Sequence, residues 1–272
     1  MNRLPKSPHQ QVFFEGGLGS QLLALIEYQV KMELFDGRVF VNLDYYSIDQ
    51  KRNKRAAIRP WRLQPYGYTL DFFEERNKRA NLLRDVVARP TILQHANFLL
   101  DNNIFNRGQT ANIVLPDKIE DCEINELVLK ETDFGSIHLR RGDYRKVASH
   151  LVSLTQVLSH LRRDSDYLPR TLFFFTDSML RPLDRVKLKR LFRKLERRII
   201  LVEGTKRLSD IEVHGVMRKS KYLVVSNSTF SFSAALLRTR ADSKVYVPSV
   251  FNLDEAAAMN SVYTSNTSFG QY

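Results

Sequence analysis

Ser136-Ile137-His138-Leu139-Arg140-Arg141-Gly142-Asp143-Tyr144 sets a histidine, two adjacent arginines, a glycine and an acid across the junction of a strand and a loop. Glu131 to Gly135 ahead of it reads as a turn, and Ser136 to Arg140 alternates as a short strand entering a sheet does. Successive side chains of a strand point to opposite faces, so His138 and Arg140 share one face and Arg141 takes the other. A guanidinium donates in a planar fork that matches phosphate oxygens, so an arginine where a strand ends and Gly142 lets the chain turn is placed to hold a diphosphate. The plainer reading is a surface arginine pair beside a turn. Arg141-Gly142-Asp143 also spells an adhesion triplet, but three residues recur by chance and no secretory feature accompanies them.

Outward from this strand, strands alternate with helices. The pattern predicts a helix near Leu151 to Arg163, a strand over 171–175, a basic helix within Arg181 to Arg198 and a strand over 198–202. A short helix near Asp210 to Arg218, a strand over 221–225, a helix from about Ser231 and a strand over 244–247 follow. Such alternation argues for a parallel sheet with helices on both faces. Ligands of these sheets sit beyond the carboxyl ends of the strands. His138 to Tyr144, Thr176 to Ser178 and Ser226 to Thr229 each follow a strand's carboxyl end, which sets them side by side over one crevice. Asp177 offers two acceptors suited to the N1 and exocyclic amine donors of guanine, or it caps the helix that follows. Ser226, Asn227, Ser228 and Thr229 form a polar turn before a helix, where hydroxyls and backbone amides bind phosphate. Capping alone accounts for one or two of the four. Asn227-Ser228-Thr229 is also a glycosylation sequon by pattern.

The first half opens with a strand from Gln11 to Glu15, the turn Gly16-Gly17-Leu18-Gly19, a helix from about Ser20 to Phe35 and a second strand from Arg38 to Asp44. Strand, glycine turn and helix begin an α/β unit. Asp44 stands roughly where a dinucleotide-binding fold places its ribose ligand, but Leu22 occupies the third glycine position of that fingerprint. Tyr45 to Arg62 reads as an exposed basic loop containing Lys51 to Arg55. Trp61, Tyr66 and Tyr68 read as core, Asp71 to Ala88 as a helix ended by Arg89-Pro90, and His95 as structural. The domain boundary is expected about Pro116 to Asp133, giving an acceptor-side domain over 1–125 and a nucleotide-sugar domain over 126–272.

Bulk properties narrow the class. The 272 residues, 43% of them apolar, suffice for one large or two modest domains. The single cysteine, Cys122, excludes an intrachain disulfide framework and a multi-cysteine zinc site. No apolar run approaches the roughly 18 residues of a membrane span, so a cytoplasmic protein is expected. The net charge of +12 asks for an acidic partner: nucleic acid, anionic lipid or a phosphorylated substrate. Arg181 to Arg198 holds nine basic residues against Asp184 and Glu196, a net of +7. Leu183, Val186, Leu188, Leu191, Phe192 and Leu195 recur there at helical spacing, which predicts a buried apolar face. Its charges are either a solvated face or a surface that leans on anionic lipid.

The motif HxRRGDY resembles that of the α1,2-fucosyltransferases of glycosyltransferase family 11 and, more loosely, of α1,6- and protein O-fucosyltransferases. Three further segments match in order: Phe13 to Leu23, Phe173 to Ser178 and Val224 to Leu237. The resemblance spans most of the chain. Two departures stand out: Ser20 replaces the asparagine the family has before Gln21, and Phe232 and Ser233 replace paired tryptophans.

The resemblance implies an α/β fold of the GT-B type, with two Rossmann-like domains facing a cleft. It implies an inverting, metal-independent transfer of fucose from GDP-fucose to a sugar hydroxyl, such as that of a lipopolysaccharide O-antigen precursor. No cofactor is expected beyond that donor, and no His/Cys cluster offers a divalent-ion site. Relatives from eukaryotes usually carry an N-terminal membrane anchor, so a bacterial enzyme at the inner membrane face is expected. The implied donor contacts are His138, Arg140, Arg141, Asp177, Ser226, Asn227, Ser228 and Thr229, with Gly17, Gly19 and Gln21 approaching from the first domain. Arg140 and Asp143 are the residues expected to carry catalysis, Arg140 on the departing diphosphate and Asp143 beside it. The base that takes the acceptor's proton is left open among Glu15, Asp143 and His150. Partners are then a nucleotide-sugar donor, an oligosaccharide or lipid-linked acceptor and an anionic membrane surface, with no nucleic acid. Three alternatives stand beside this reading: the same fold with another donor sugar, a Rossmann-type dehydrogenase, and a basic nucleotide- or nucleic-acid-binding protein. The dehydrogenase leaves the three second-half motifs unexplained, and the last would need exposed aromatics among its charges.

Overall fold

The computed structural model describes residues 11–35, 39–47, 60–78, 122–130, 133–142, 152–204, 207–240, 242–248 and 269–271. The chain divides into two compact units, Met1–Val114 and Leu115–Tyr272.

In the first unit β1 (Gln11–Phe13) pairs in parallel with β2 (Phe40–Asn42), and α1 (Leu18–Leu34) makes the crossover. Gly16 turns the chain between strand and helix at φ +73°, a left-handed conformation that favours glycine. The helix begins at Leu18, two residues before the expected start, so Gly19 lies within its first turn. The second strand ends at Asn42 and Asp44 opens the short helix α2 (Asp44–Ser47). That corrects the expectation of a strand running as far as Asp44. After a 3-10 turn at Gln64–Tyr66 comes α3 (Leu70–Lys78). Trp61 packs on Phe14 at 5.5 Å and on Phe73 at 5.7 Å between ring centroids, and its indole N–H donates to Tyr68 O. Trp61 thus belongs to the unit's aromatic core. The basic loop 51–55 and His95 lie outside the described residues.

The second unit opens with α4 (Cys122–Lys130), a helix inside the stretch expected to be a boundary. The sheet elements are β3 (Phe134–Leu139), β4 (Thr171–Thr176), β5 (Arg198–Glu203), β6 (Tyr222–Val224), β7 (Lys244–Val247) and β8 (Phe269–Gln271). Between them come α5 (Leu154–Arg163), α6 (Pro182–Lys194), α7 (Asp210–Lys219) and α8 (Thr229–Leu236). Capping boxes start two helices, Ser153 with Gln156 and Ser209 with Glu212. The six strands are all parallel and run in the order β5-β4-β3-β6-β7-β8. Counted within the unit this is the doubly wound order 3-2-1-4-5-6, with its switch point between β3 and β6.

Strand alternation sorts the two faces. Ile137, Leu139, Leu172, Phe174, Tyr222 and Val224 form one core with α5 and α6. Toward the other face Ser136 bonds to Ser220, just past α7, and His138 lies against Phe230 of α8. A core on each side explains why β3 and β4 are buried at every position. The basic helix departs from expectation: α6 buries Leu188, Leu191 and Phe192 together with Asp184, while Leu183 and Val186 stand 74% and 54% exposed. Among the described residues no helix is long and apolar enough to cross a membrane.

Candidate active site

The switch point lies between the carboxyl ends of β3 and β6, and the structure brings His138, Arg140 and the Ser226 turn together there. His138 Nδ1 and Ser226 Oγ are 2.8 Å apart, linking the two strands through buried side chains. Burial pushes the His138 imidazole down to about 4; Asp177 opposes this and Arg140 adds to it. At neutral pH the ring is therefore uncharged, and it positions Ser226 rather than adding a cation. Ser226 N receives Ser231 Oγ as acceptor at 3.2 Å, and Ser228 N donates to Ser226 O at 2.7 Å. Ser228 caps α8, its hydroxyl accepting from Phe230 N. The turn from Ser226 to Thr229 is thus braced from beneath and delivers the N-terminus of α8 to the crevice.

Asp177, at the end of β4, faces the arginine loop. Its Oδ1 accepts from Arg141 N at 2.7 Å, both oxygens accept from Gly142 N at 3.0 Å, and Oδ2 pairs with Arg140 Nε at 3.1 Å. A carboxylate so engaged orients the loop and the Arg140 guanidinium. It also bears on Gly142: a Cβ there would lie 2.7 Å from Asp177 Oδ2, so any side chain at this turn would push that carboxylate off the loop it holds.

Arg141 turns to the opposite face, where its Nη1 meets Asp184 Oδ2 of α6 at 3.0 Å. Arg181 holds the same carboxylate, and the two guanidinium groups keep Asp184 below the usual carboxylate range. Asp143 was expected beside these arginines; it lies outside the described residues, as does His150. Asp184 was not singled out from the sequence, although it is the lone acid of the most basic helix. Glu203 was also missed: it closes β5, accepts from Leu180 N at 2.7 Å and pairs with Arg185. The three acids Asp177, Asp184 and Glu203 secure the loops at the carboxyl ends of three adjacent strands. Among the described residues no three His, Cys, Asp or Glu side chains gather as a metal site requires.

In the first unit Gln21 is fully buried: its amide donates to Gly16 O at 2.9 Å and Pro60 O at 3.0 Å, and its carbonyl accepts from Arg62 N at 2.8 Å. Its polar atoms brace the glycine turn. Gly17 caps α1, and a Cβ there would meet nothing within 4 Å.

No family model and no curated protein matches the chain. A crystal structure of POFUT1 in complex with GDP-fucose is similar to the chain. The TM-score is 0.45 and the identity 11%, over 85% of this chain and 95% of that one. A likeness this low leaves the chemistry to be argued from the site's own geometry.

Proposed function

We propose that the chain is an inverting, metal-independent glycosyltransferase of the GT-B type, moving fucose from GDP-fucose to a glycan hydroxyl in α1,2 linkage. The second unit binds the donor and the first serves the acceptor. One observation carries this reading: the Arg140 guanidinium is held by Asp177 at the switch point of a doubly wound sheet, with the amino end of a helix on the next strand. A guanidinium and a helix N-terminus at one crevice supply the positive charge a departing diphosphate needs. In the reaction the acceptor oxygen bonds to the anomeric carbon as the bond to the β-phosphate oxygen breaks, and that oxygen leaves with the electron pair. Arg140 stabilises the charge appearing there, a contribution on the order of 3–4 kcal/mol by analogy with lost oxyanion donors. The acceptor's proton passes to a base this reading leaves unassigned. Asp177 acts by positioning Arg140, and Arg141 by tying the loop to α6.

A thermal-shift panel of nucleotides tests this before any acceptor is known. GDP is expected to raise the melting temperature more than UDP, CMP or NAD. A larger shift with UDP or CMP overturns the donor assignment, and a shift with NAD alone overturns the enzyme class.

A further inference from the structure

α6 presents a solvent face unlike that of an ordinary surface helix. Among the described residues five large apolar side chains are exposed, and three of them fall within eight residues of one another: Met179 just before α6, and Leu183 and Val186 on it. They stand 59%, 74% and 54% exposed. Lys187, Lys189, Arg190, Arg193 and Lys194 are exposed on the same helix, and Arg181 precedes it. The helix's one acid, Asp184, is turned inward onto Arg141 and Arg181 and offsets none of the five. Leu183, Val186 and Arg190 recur at three- and four-residue spacing, so they form one line along the exposed side, with the lysines flanking it. Leu188, Leu191 and Phe192 hold the opposite side in the core, which fixes the helix's rotation and keeps this line outward.

We propose that this face of α6 docks the protein on an anionic lipid surface. An apolar line flanked by basic side chains is the pattern of a helix lying in the membrane interface. There the aliphatic groups enter the headgroup boundary and the cations meet lipid phosphates. Nucleic acid is the other polyanion such charge would attract. Single-stranded binders stack bases on exposed aromatics, however, and the exposed apolar residues here are two aliphatic side chains and a thioether. The orientation also suits a membrane task. Met179 follows the loop of Asp177, so the apolar end of the face lies at the carboxyl edge of the sheet, where the candidate site opens. The proposal stands apart from the donor assignment, because it needs only α6 and its charges.

The test is flotation of the full chain with vesicles of phosphatidylcholine alone and of equimolar phosphatidylcholine and phosphatidylglycerol. Binding is expected to the anionic vesicles only, and to weaken as salt rises. Leu183→Ser with Val186→Ser should reduce it. Lys187→Glu, Arg190→Glu and Arg193→Glu should each weaken it roughly fivefold. All five substitutions sit on exposed positions, so the melting temperature and its response to GDP should match the unaltered chain, which separates lost docking from lost folding or lost donor binding. Equal binding to both vesicles, binding to neither, or variants that float like the unaltered chain would overturn the proposal. Release from anionic vesicles by short single-stranded DNA at concentrations where free phosphate has no effect would reassign the face to nucleic acid.

Discussion

Arg140 and Arg141 are neighbours with different tasks. Arg141 is consumed by a buried carboxylate on α6, whereas Arg140 stays at the crevice, three-quarters covered and paired through Nε with Asp177. Lysine would keep a charge at position 140 but lose both Nε and the planar fork, and bidentate sites tolerate that exchange poorly. Arg140→Lys and Arg140→Ala are each expected to lower transfer from GDP-fucose by about a hundredfold or more. Circular dichroism of both variants should match the unaltered chain, because a crevice-rim arginine supports little core. Near-normal turnover of the alanine variant would remove Arg140 from the mechanism. A variant that fails to fold would make it a structural residue.

The rotation of α6 links site and surface: Leu188, Leu191 and Phe192 hold one side in the core, and Asp184 lies on that side with them. The sequence expectation places Leu183 and Val186 on the buried face. Instead the first turn points Asp184 inward to Arg141, and the two apolar residues swing out. Asp184→Asn leaves Arg141 buried beside a neutral amide, and breaking such a pair costs about 3 kcal/mol. Urea denaturation at neutral pH should register that loss, and the affinity for GDP should fall with it as the arginine loop loosens. The pH dependence has a definite sign. The carboxyl is held below its ordinary 3.8 in the folded chain, so its stabilisation is complete above that value and is lost as pH falls below it. Unchanged stability and GDP affinity in Asp184→Asn would show that the pair holds nothing in place.

Among the described residues of the second unit three histidines are buried on separate elements: His138 on β3, His160 on α5 and His214 on α7. Burial is the first cause of a lowered value in each, to about 4 for His138 and His160, and well below 6.5 for His214. Unfolding frees all three to take up protons near 6.5. The stability they contribute is therefore present above 6.5 and drains away as pH falls from 6.5 toward 4. For His138 and His160 a displacement to about 4 is worth at most about 3 kcal/mol each, so urea midpoints should drop steeply through this window. His160→Gln should flatten the drop; an equally steep profile in that variant would mean the ring is protonated in the folded chain. Much of the chain's organisation was readable in advance. The strand–helix alternation, the glycine turn at Gly16 and the lodging of three polar motifs at strand ends follow from local periodicity, which the chain carries in consecutive residues. Other features were not readable. The engagement of Asp177 with backbone 36 residues away, the Arg141–Asp184 pair across 43, and the burial of Gln21 against Pro60 and Arg62 all depend on which strands and loops become neighbours. The same holds for the face α6 turns to solvent, because two apolar stripes compete on that helix and packing against the sheet decides between them. Spacing encodes an element and its candidate faces, while packing selects the face and the partner.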